Sequence, residues 1–88
     1  METNINEILV ERENRYGAFS AHALITQNLK RMMVRTPNWA TGLTPDKKEA
    51  LEMIAHKIGR ILNGDPEYKD SWVDIAGYAT LIADTLND

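Results

Sequence analysis

Apolar residues recur at helical spacing along most of the chain, and no run of four residues alternates apolar with polar side chains as a half-buried strand would. This spacing predicts helices and no strands. Four helices are predicted, at about 4–14, 18–35 and 45–63, and from 68 or 69 to 86. The residues predicted to face inward on the first two helices are Ile5, Ile8 and Leu9, then Phe19, His22, Ile25, Leu29, Met32 and Met33.

Glycine, proline and capping residues mark the ends of the predicted helices. Gly17 follows the first helix as a stop signal. Thr44 is a good N-cap for the third helix, and Pro45 suits its first helical position. Gly64 is predicted to end this helix in the left-handed conformation, and Pro66 prevents the helix from continuing.

The connections between the predicted helices are short, and the longest is a loop over 36–43 that contains Pro37 and Gly42. Four helices with short connections are typical of an all-α, four-helix bundle-like fold, so we expect a single domain over residues 1–88. A chain of 88 residues buries little apolar surface by itself. We therefore expect a homodimer or a higher homo-oligomer.

The composition and net charge of the chain exclude or disfavour several classes of function. The chain has no cysteine, which excludes a disulfide framework, a thiolate metal site and a cysteine nucleophile, and which fits a cytoplasmic protein. No apolar run approaches a membrane span, and the first residues lack the order of a signal peptide. The net charge of −3 argues against general binding to nucleic acid. Lys30, Arg31 and Arg35 form a small basic cluster that suits a helix C-terminus.

The third and fourth predicted helices carry acidic residues at helical spacing. Glu49 and Glu52 lie three apart on one helix, and Asp70 and Asp74 lie four apart on the next. If the two helices are antiparallel, the four carboxylates could converge on a hard cation, because Mg²⁺ and Mn²⁺ prefer oxygen ligands. The sequence therefore suggests a metal site with Glu49, Glu52, Asp70 and Asp74 as ligands.

A structural interpretation of the third helix competes with this one. Its apolar stripe is formed by Leu51, Ile54, Ile58, Ile61 and Leu62. The opposite side carries Glu49, Glu52, His56, Arg60 and Asn63. A polar side of this kind is typical of a solvated face. On it, His56 could join a hydrogen-bond network or bind metal, whereas His22 is expected in the core or at an interface.

The fourth predicted helix is apolar nearly all round, and such helices are usually buried on both sides. Its inward stripe is predicted to be Trp72, Ile75, Ala79, Ile82 and Leu86. Asp74 needs a partner on such a helix, because a buried carboxylate must be paired, hydrogen-bonded or bound to metal. A salt bridge from Asp74 to Lys57, Arg60 or Arg15 therefore competes with metal binding.

Three blocks of sequence stand out beyond these patterns. They are Arg15-Tyr16-Gly17-Ala18-Phe19, then EALEMIAHKIGRILNGDP at 49–66 and DSWVDIAGY at 70–78. Together they resemble a family of small phage and prophage-encoded proteins of unassigned function. The resemblance covers most of the chain and implies the cytoplasm of a bacterial host.

The acidic spacing is also similar to that of the all-α nucleoside-triphosphate pyrophosphohydrolases, the MazG-like and dimeric dUTPase group. These enzymes hold Mg²⁺ with Glu-x-x-Glu on one helix and Glu-x-x-Asp on the next. Glu49 and Glu52 match the first motif, and Asp74 matches the end of the second. The chain departs from the pattern at Ser71 and Lys48, where the family has glutamate.

This second resemblance implies a MazG-like fold and a Mg²⁺-dependent pyrophosphohydrolase acting on nucleoside triphosphates, or otherwise a nucleotide-binding protein. Its catalytic residues would be Glu49, Glu52 and Asp74. Its phosphate- and nucleotide-binding residues would be Lys57, Arg60 and Tyr78.

Two other classes of function compete with the enzyme. The first is a non-catalytic α-helical module of phage origin that self-associates or binds another protein. The second is a small DNA-binding regulator, which is weaker because the connection over 36–43 is too long for a helix-turn-helix. The enzyme needs Glu49, Glu52 and Asp74 to converge, whereas the module does not.

Overall fold

The computed structural model describes residues 4–87, which form five α-helices and contain no strand. The helices are α1 (Ile5–Tyr16), α2 (Phe19–Met33), α3 (Pro37–Thr41), α4 (Pro45–Asn63) and α5 (Lys69–Ala83). The all-α prediction is confirmed for this part of the chain. The four predicted helices correspond to α1, α2, α4 and α5.

The segment 36–43, predicted to be a loop, contains the short helix α3. Pro37 begins this helix, where the missing proline N–H costs nothing. The backbone N–H of Gly42 ends it by donating to the carbonyl oxygen of Asn38 at 2.8 Å. The predicted number of helices was too low by one, because a helix of five residues is too short to show apolar periodicity.

The glycines at the ends of α1 and α4 serve different purposes. Gly17 ends α1 as predicted, with a φ of 80° in the region that favours glycine. Gly64 ends α4 with a φ of −124°, so the predicted left-handed conformation is wrong. A Cβ on Gly64 would lie 2.4 Å from the Cα of Tyr16. Glycine is therefore needed here for a close approach of two backbones.

α4 lies at the centre of the fold. It packs along α5 and along α2, while α1 makes smaller contacts with α2 and α4. α2 and α5 make at most slight contact with each other. The long helices therefore form an open layer instead of the closed bundle that the short connections suggested. Short connections keep consecutive helices close together, but they do not determine which helix faces pack against each other.

The side of α4 that was predicted to be solvated takes part in this packing. Of its five polar residues only Glu49 is exposed. The adjacent Gly59 is buried, and a Cβ there would lie 2.5 Å from Thr26 Cγ2 and 2.9 Å from His22 Nδ1. The solvated-face prediction is wrong, because glycine and other small residues, not large apolar ones, bring α4 and α2 together.

Many residues that were predicted to face inward are exposed in the single chain. They are Ile5, Leu9, Phe19, Met32, Leu51, Leu62, Trp72, Ala79 and Leu86. α1 buries none of its residues, and α5 buries Ser71 in place of Trp72. The inward assignments are wrong because an open layer covers only part of each helix. The largest apolar side chains are left on its outer surfaces.

Candidate functional site

α4 and α5 form an antiparallel hairpin that carries most of the predicted site residues. In the middle of the hairpin, Lys57 Nζ lies 2.9 Å from Asp74 Oδ2. The Lys57 side chain is 11% exposed and the Asp74 side chain is 46% exposed. The ammonium group is thus largely enclosed, whereas the carboxylate still reaches water. Of the three salt bridges considered for Asp74, the one to Lys57 is formed.

The four predicted metal ligands are spread along this hairpin. Because Lys57 lies opposite Asp74 in an antiparallel pair, Glu49 and Asp70 lie in opposite directions from that point. At a rise of 1.5 Å per residue, they are separated by about 18 Å along the helix axes. Glu52 is half-buried between them on α4. Within residues 4–87, no three acidic or histidine side chains are grouped closely enough to hold a metal ion.

Asp70 takes part in a different arrangement at the start of α5. Its carboxylate accepts a hydrogen bond from the Tyr68 hydroxyl at 3.1 Å, and Arg15 Nη1 donates to the same hydroxyl at 3.2 Å. The hydrogen bond to Asp70 raises the pKa of Tyr68. The Tyr68 ring meets the Tyr16 ring edge to face at 6.0 Å, and the Arg60 guanidinium lies 4.1 Å from the Tyr16 ring centroid. This stack of aromatic and cationic groups links α1 to the hairpin.

The predicted nucleotide-binding residues face different neighbours. Lys57 points toward α5, where it pairs with Asp74. Arg60 points toward α1, where it lies over the Tyr16 ring. Tyr78 is half-buried one turn after Asp74 on α5. Lys57 and Arg60 are three residues apart on α4, but their side chains contact different helices. Their joint role in binding phosphate stays a prediction.

The turn between α1 and α2 is joined to the end of α4, a contact that sequence reasoning missed. Asn63 Nδ2 donates to the carbonyl oxygens of Tyr16 and Ala18 at 3.0 and 2.9 Å. A Cβ on Gly17 would lie 2.1 Å from the carbonyl oxygen of Asn63. Two of the sequence blocks, RYGAF and the block that ends in NGDP, thus meet in space. Nothing in their local patterns indicated this contact, since they lie more than 40 residues apart in sequence.

The two histidines also meet, although they are 34 residues apart in sequence. His22 Nε2 and His56 Nδ1 lie 3.3 Å apart, and the ring centroids are 4.6 Å apart at a steep angle. His22 is buried, as expected for a core histidine. Burial lowers the pKa of both imidazoles, that of His56 to about 4, with the nearby Arg60 as a further cause for both. Both rings are therefore neutral at pH 7.

The class of protein follows from this geometry: a small α-helical domain with a central antiparallel hairpin. Among residues 4–87, no helix has the length and apolar content needed to cross a membrane. The chain matches the family described as "Domain of unknown function (DUF6378)" over residues 1–86, and it belongs to that family. No curated protein and no solved structure matches the chain. The phage origin and the relationship to MazG-like enzymes remain predictions.

Proposed function

We propose that the chain is a self-associating α-helical module, in which copies pack through the outer side of α5. The observation that carries this proposal is the surface of the single chain. Its accessible area is 6681 Å², whereas a folded monomer of 10.0 kDa is expected to expose about 5,200 Å². The radius of gyration is 15.3 Å, against about 12 Å for a compact chain of this length.

The outer side of α5 is the part of this surface best suited to association. It consists of Trp72, Val73, Ala76, Gly77, Ala79, Thr80 and Ala83, all exposed; we refer to it as the α5 outer face. The seven residues of this face carry no ionisable side chain, while the exposed Lys69 and Asp84 flank them at the two ends of α5. A Cβ on Gly77 would meet no atom within 4 Å. A helix that is apolar nearly all round is normally covered on both sides.

A second copy of the chain is the occupant that fits the α5 outer face. The single chain exposes about 1,400 Å² more than a compact monomer, and a standard interface buries about 800 Å² of each partner. One such interface would cover more than half of this additional exposed area. The middle of the α5 outer face offers no charge pattern for a different partner to complement, whereas two identical faces can pack around a two-fold axis.

Sedimentation equilibrium over a range of protein concentrations tests this proposal. The wild-type chain should behave as a dimer or a larger species. Ala76→Glu should yield monomers, because it places a carboxylate in the middle of the α5 outer face. Gln27→Glu adds the same charge at an exposed position of α2 and should associate as the wild type does. A wild-type chain that is monomeric at high concentration, or an unchanged Ala76→Glu variant, would overturn the proposal.

Mg²⁺-dependent nucleotide pyrophosphohydrolysis is the second candidate, and one observation favours it. Glu52 is half-buried and has no ion-pair partner among residues 4–87. A carboxylate in that position is stabilised by a cation. Within residues 4–87 of one chain, no three acidic or histidine side chains lie close enough together to hold a metal ion. A site with Glu49, Glu52, Asp70 and Asp74 would therefore need ligands from a second copy, and it would depend on the association proposed above.

Pyrophosphate release tests this second candidate. A panel of ribo- and deoxynucleoside triphosphates is incubated with the full chain and Mg²⁺ or Mn²⁺. Glu52→Gln should abolish release while leaving the helices intact, because Glu52 forms no ion pair in the described residues. Glu67→Gln, in the exposed turn before α5, is the matched control and should keep full release. Absence of release from every nucleotide, with folded wild-type protein, would exclude the enzyme.

A further inference from the structure

A cavity lies between α1, α2 and α4 and is lined by residues of all three helices. Its volume is about 700 Å³, within the range of small-molecule sites. Six of the residues that line it bear on its chemistry: Arg12, Tyr16, Phe19, His22, His56 and Arg60. Two of them are cationic and two are carbocyclic aromatics, and the histidines are neutral at pH 7.

The positive charge at this cavity exceeds the negative charge. Arg12 and Arg60 both line it, and Glu13 is the one acidic residue among its lining side chains. Arg60 is half-buried against the Tyr16 ring and forms no ion pair among residues 4–87. A partly desolvated guanidinium without a carboxylate partner is stabilised by an incoming anion, with which it can form two parallel hydrogen bonds.

The cavity also offers apolar surface and one hydrogen-bonding nitrogen. The Phe19 side chain is at its edge, and this residue is 78% exposed. The interaction with His22 occupies Nδ1 of His56 and leaves its Nε2 for another partner. An exposed aromatic ring beside a cationic group suits a planar aromatic body that carries an anionic substituent.

We propose that this cavity binds a small aromatic anion, with its phosphate or carboxylate group on Arg60 and Arg12 and its ring against Phe19. Aryl phosphates and aryl carboxylates share this chemistry. The tetrahedral phosphate dianion offers more oxygen acceptors to two guanidinium groups than a carboxylate does. The site lies at α1, α2 and α4, so the proposal does not depend on association through α5 or on hydrolysis.

Calorimetric titration of the full chain at pH 7 tests the proposal with four probes: phenyl phosphate, benzoate, inorganic phosphate and benzyl alcohol. Phenyl phosphate should bind most tightly, because it combines the anion with the ring. Benzoate binding with similar affinity would assign the site to aryl anions in general, whereas much weaker benzoate binding would assign it to phosphates. Inorganic phosphate and benzyl alcohol should each bind at least tenfold more weakly than phenyl phosphate.

Two variants and one control place the binding in this cavity. Arg60→Gln should weaken phenyl phosphate binding about tenfold or more, because it removes a charged donor. Phe19→Ala, at an exposed position that the fold does not need, should weaken phenyl phosphate but not inorganic phosphate. Arg31→Gln, at the exposed end of α2, should leave the affinity unchanged.

Three results would overturn the proposal. The first is no binding of phenyl phosphate by the wild-type chain at millimolar concentration. The second is equal affinity in the wild type and in both the Arg60→Gln and Phe19→Ala variants, shown to be folded by circular dichroism. The third is an equal loss in Arg31→Gln and Arg60→Gln, which would indicate a general effect of net charge.

Discussion

Gly17 shows most clearly how a single residue connects two distant parts of this fold. Its φ of 80° and ψ of −179° lie in a region that only glycine occupies readily. In addition, a Cβ there would lie 2.1 Å from the carbonyl oxygen of Asn63. Gly17→Ala should therefore reduce the free energy of unfolding by about 1–3 kcal/mol, measured by urea denaturation.

Gly42 provides the matched control for Gly17. Its φ is −104°, and the nearest atom to an added Cβ is the Asn38 side-chain oxygen at 3.1 Å. Gly42→Ala should change the free energy of unfolding by less than about 1 kcal/mol. If the two variants were equally stable, the junction between the α1–α2 turn and α4 would contribute nothing measurable.

The histidine pair makes stability depend on pH. The pKa of His56 is lowered from 6.5 to about 4, chiefly by burial. Between these values the unfolded chain binds a proton that the folded chain does not, so stability is fully present above about pH 6.5 and falls as the pH drops toward 4. Since the ring is only partly buried, we expect a loss of about 1 kcal/mol between pH 7 and pH 5.

Unfolding of the wild type and of His56→Gln at several pH values measures this contribution. The difference in unfolding free energy between the two proteins should narrow from pH 7 to pH 5, because glutamine does not titrate. Ionisable groups that do not contact His56 act on both proteins alike and cancel in the difference, so the change with pH reports on His56 together with its neighbour His22. A difference that stays constant over this interval would mean that His56 has an ordinary pKa in the folded chain.

At the scale of elements, the Lys57–Asp74 pair joins α4 to α5 with unequal partners. Asp74→Asn leaves the Lys57 side chain, which is 11% exposed, without its counterion, so we expect a loss of about 1–3 kcal/mol. Lys57→Met leaves Asp74, whose side chain is 46% exposed and can be hydrated, and methionine fills much of the space of the lysine side chain. That variant should lose no more than about 1 kcal/mol.

Urea denaturation of the two single variants and the double variant gives the coupling between these residues. We expect the double variant to be more stable than Asp74→Asn alone, because no unpaired ammonium group remains. If Asp74→Asn and Lys57→Met reduced the free energy of unfolding equally, the prediction that the less exposed Lys57 suffers more from losing its partner would be wrong. The same series separates a stability effect of Asp74 from any effect on nucleotide chemistry.

The long elements were predictable from sequence because their signals are local. Thr44 is the N-cap of α4, Pro45 is its first residue, and Gly17 ends α1, as the capping pattern predicted. The packing faces were not predictable, since Gly59 and Ser71 are buried whereas Trp72 is exposed. Apolar periodicity finds the large side chains, but this fold brings helices together through small ones.

The candidate site was only partly predictable for the same reason. Spacing correctly indicated which acidic residues share a helix, and the partner of Asp74 was among those considered. The axial offset between α4 and α5 decides whether Glu49 can approach Asp70, and no local pattern encodes that offset. The His22–His56 contact depends in the same way on how α2 lies against α4.

At the scale of the whole molecule, one open layer of helices implies an uneven distribution of stability. α4 is packed along two neighbours, whereas α1 buries no residue and makes only small contacts with α2 and α4. Local opening of a helix costs less free energy when fewer of its apolar groups are covered. The amide hydrogens of α1 should therefore exchange much faster than those of α4, by at least about a hundredfold.

Hydrogen exchange followed by mass spectrometry measures this gradient on peptides from 5–16 and 45–63, and a peptide from 69–83 reports on α5. The experiment is made at two protein concentrations, because association would protect whichever helix it covers. If copies pack through the α5 outer face, protection of α5 should rise with concentration while that of α1 stays the same. Protection of α1 that rises instead would move the interface to the exposed Ile5, Leu9 and Val10 side of α1. In that case the cavity beside α1 would be covered by the second copy, and a small aromatic anion would compete with association.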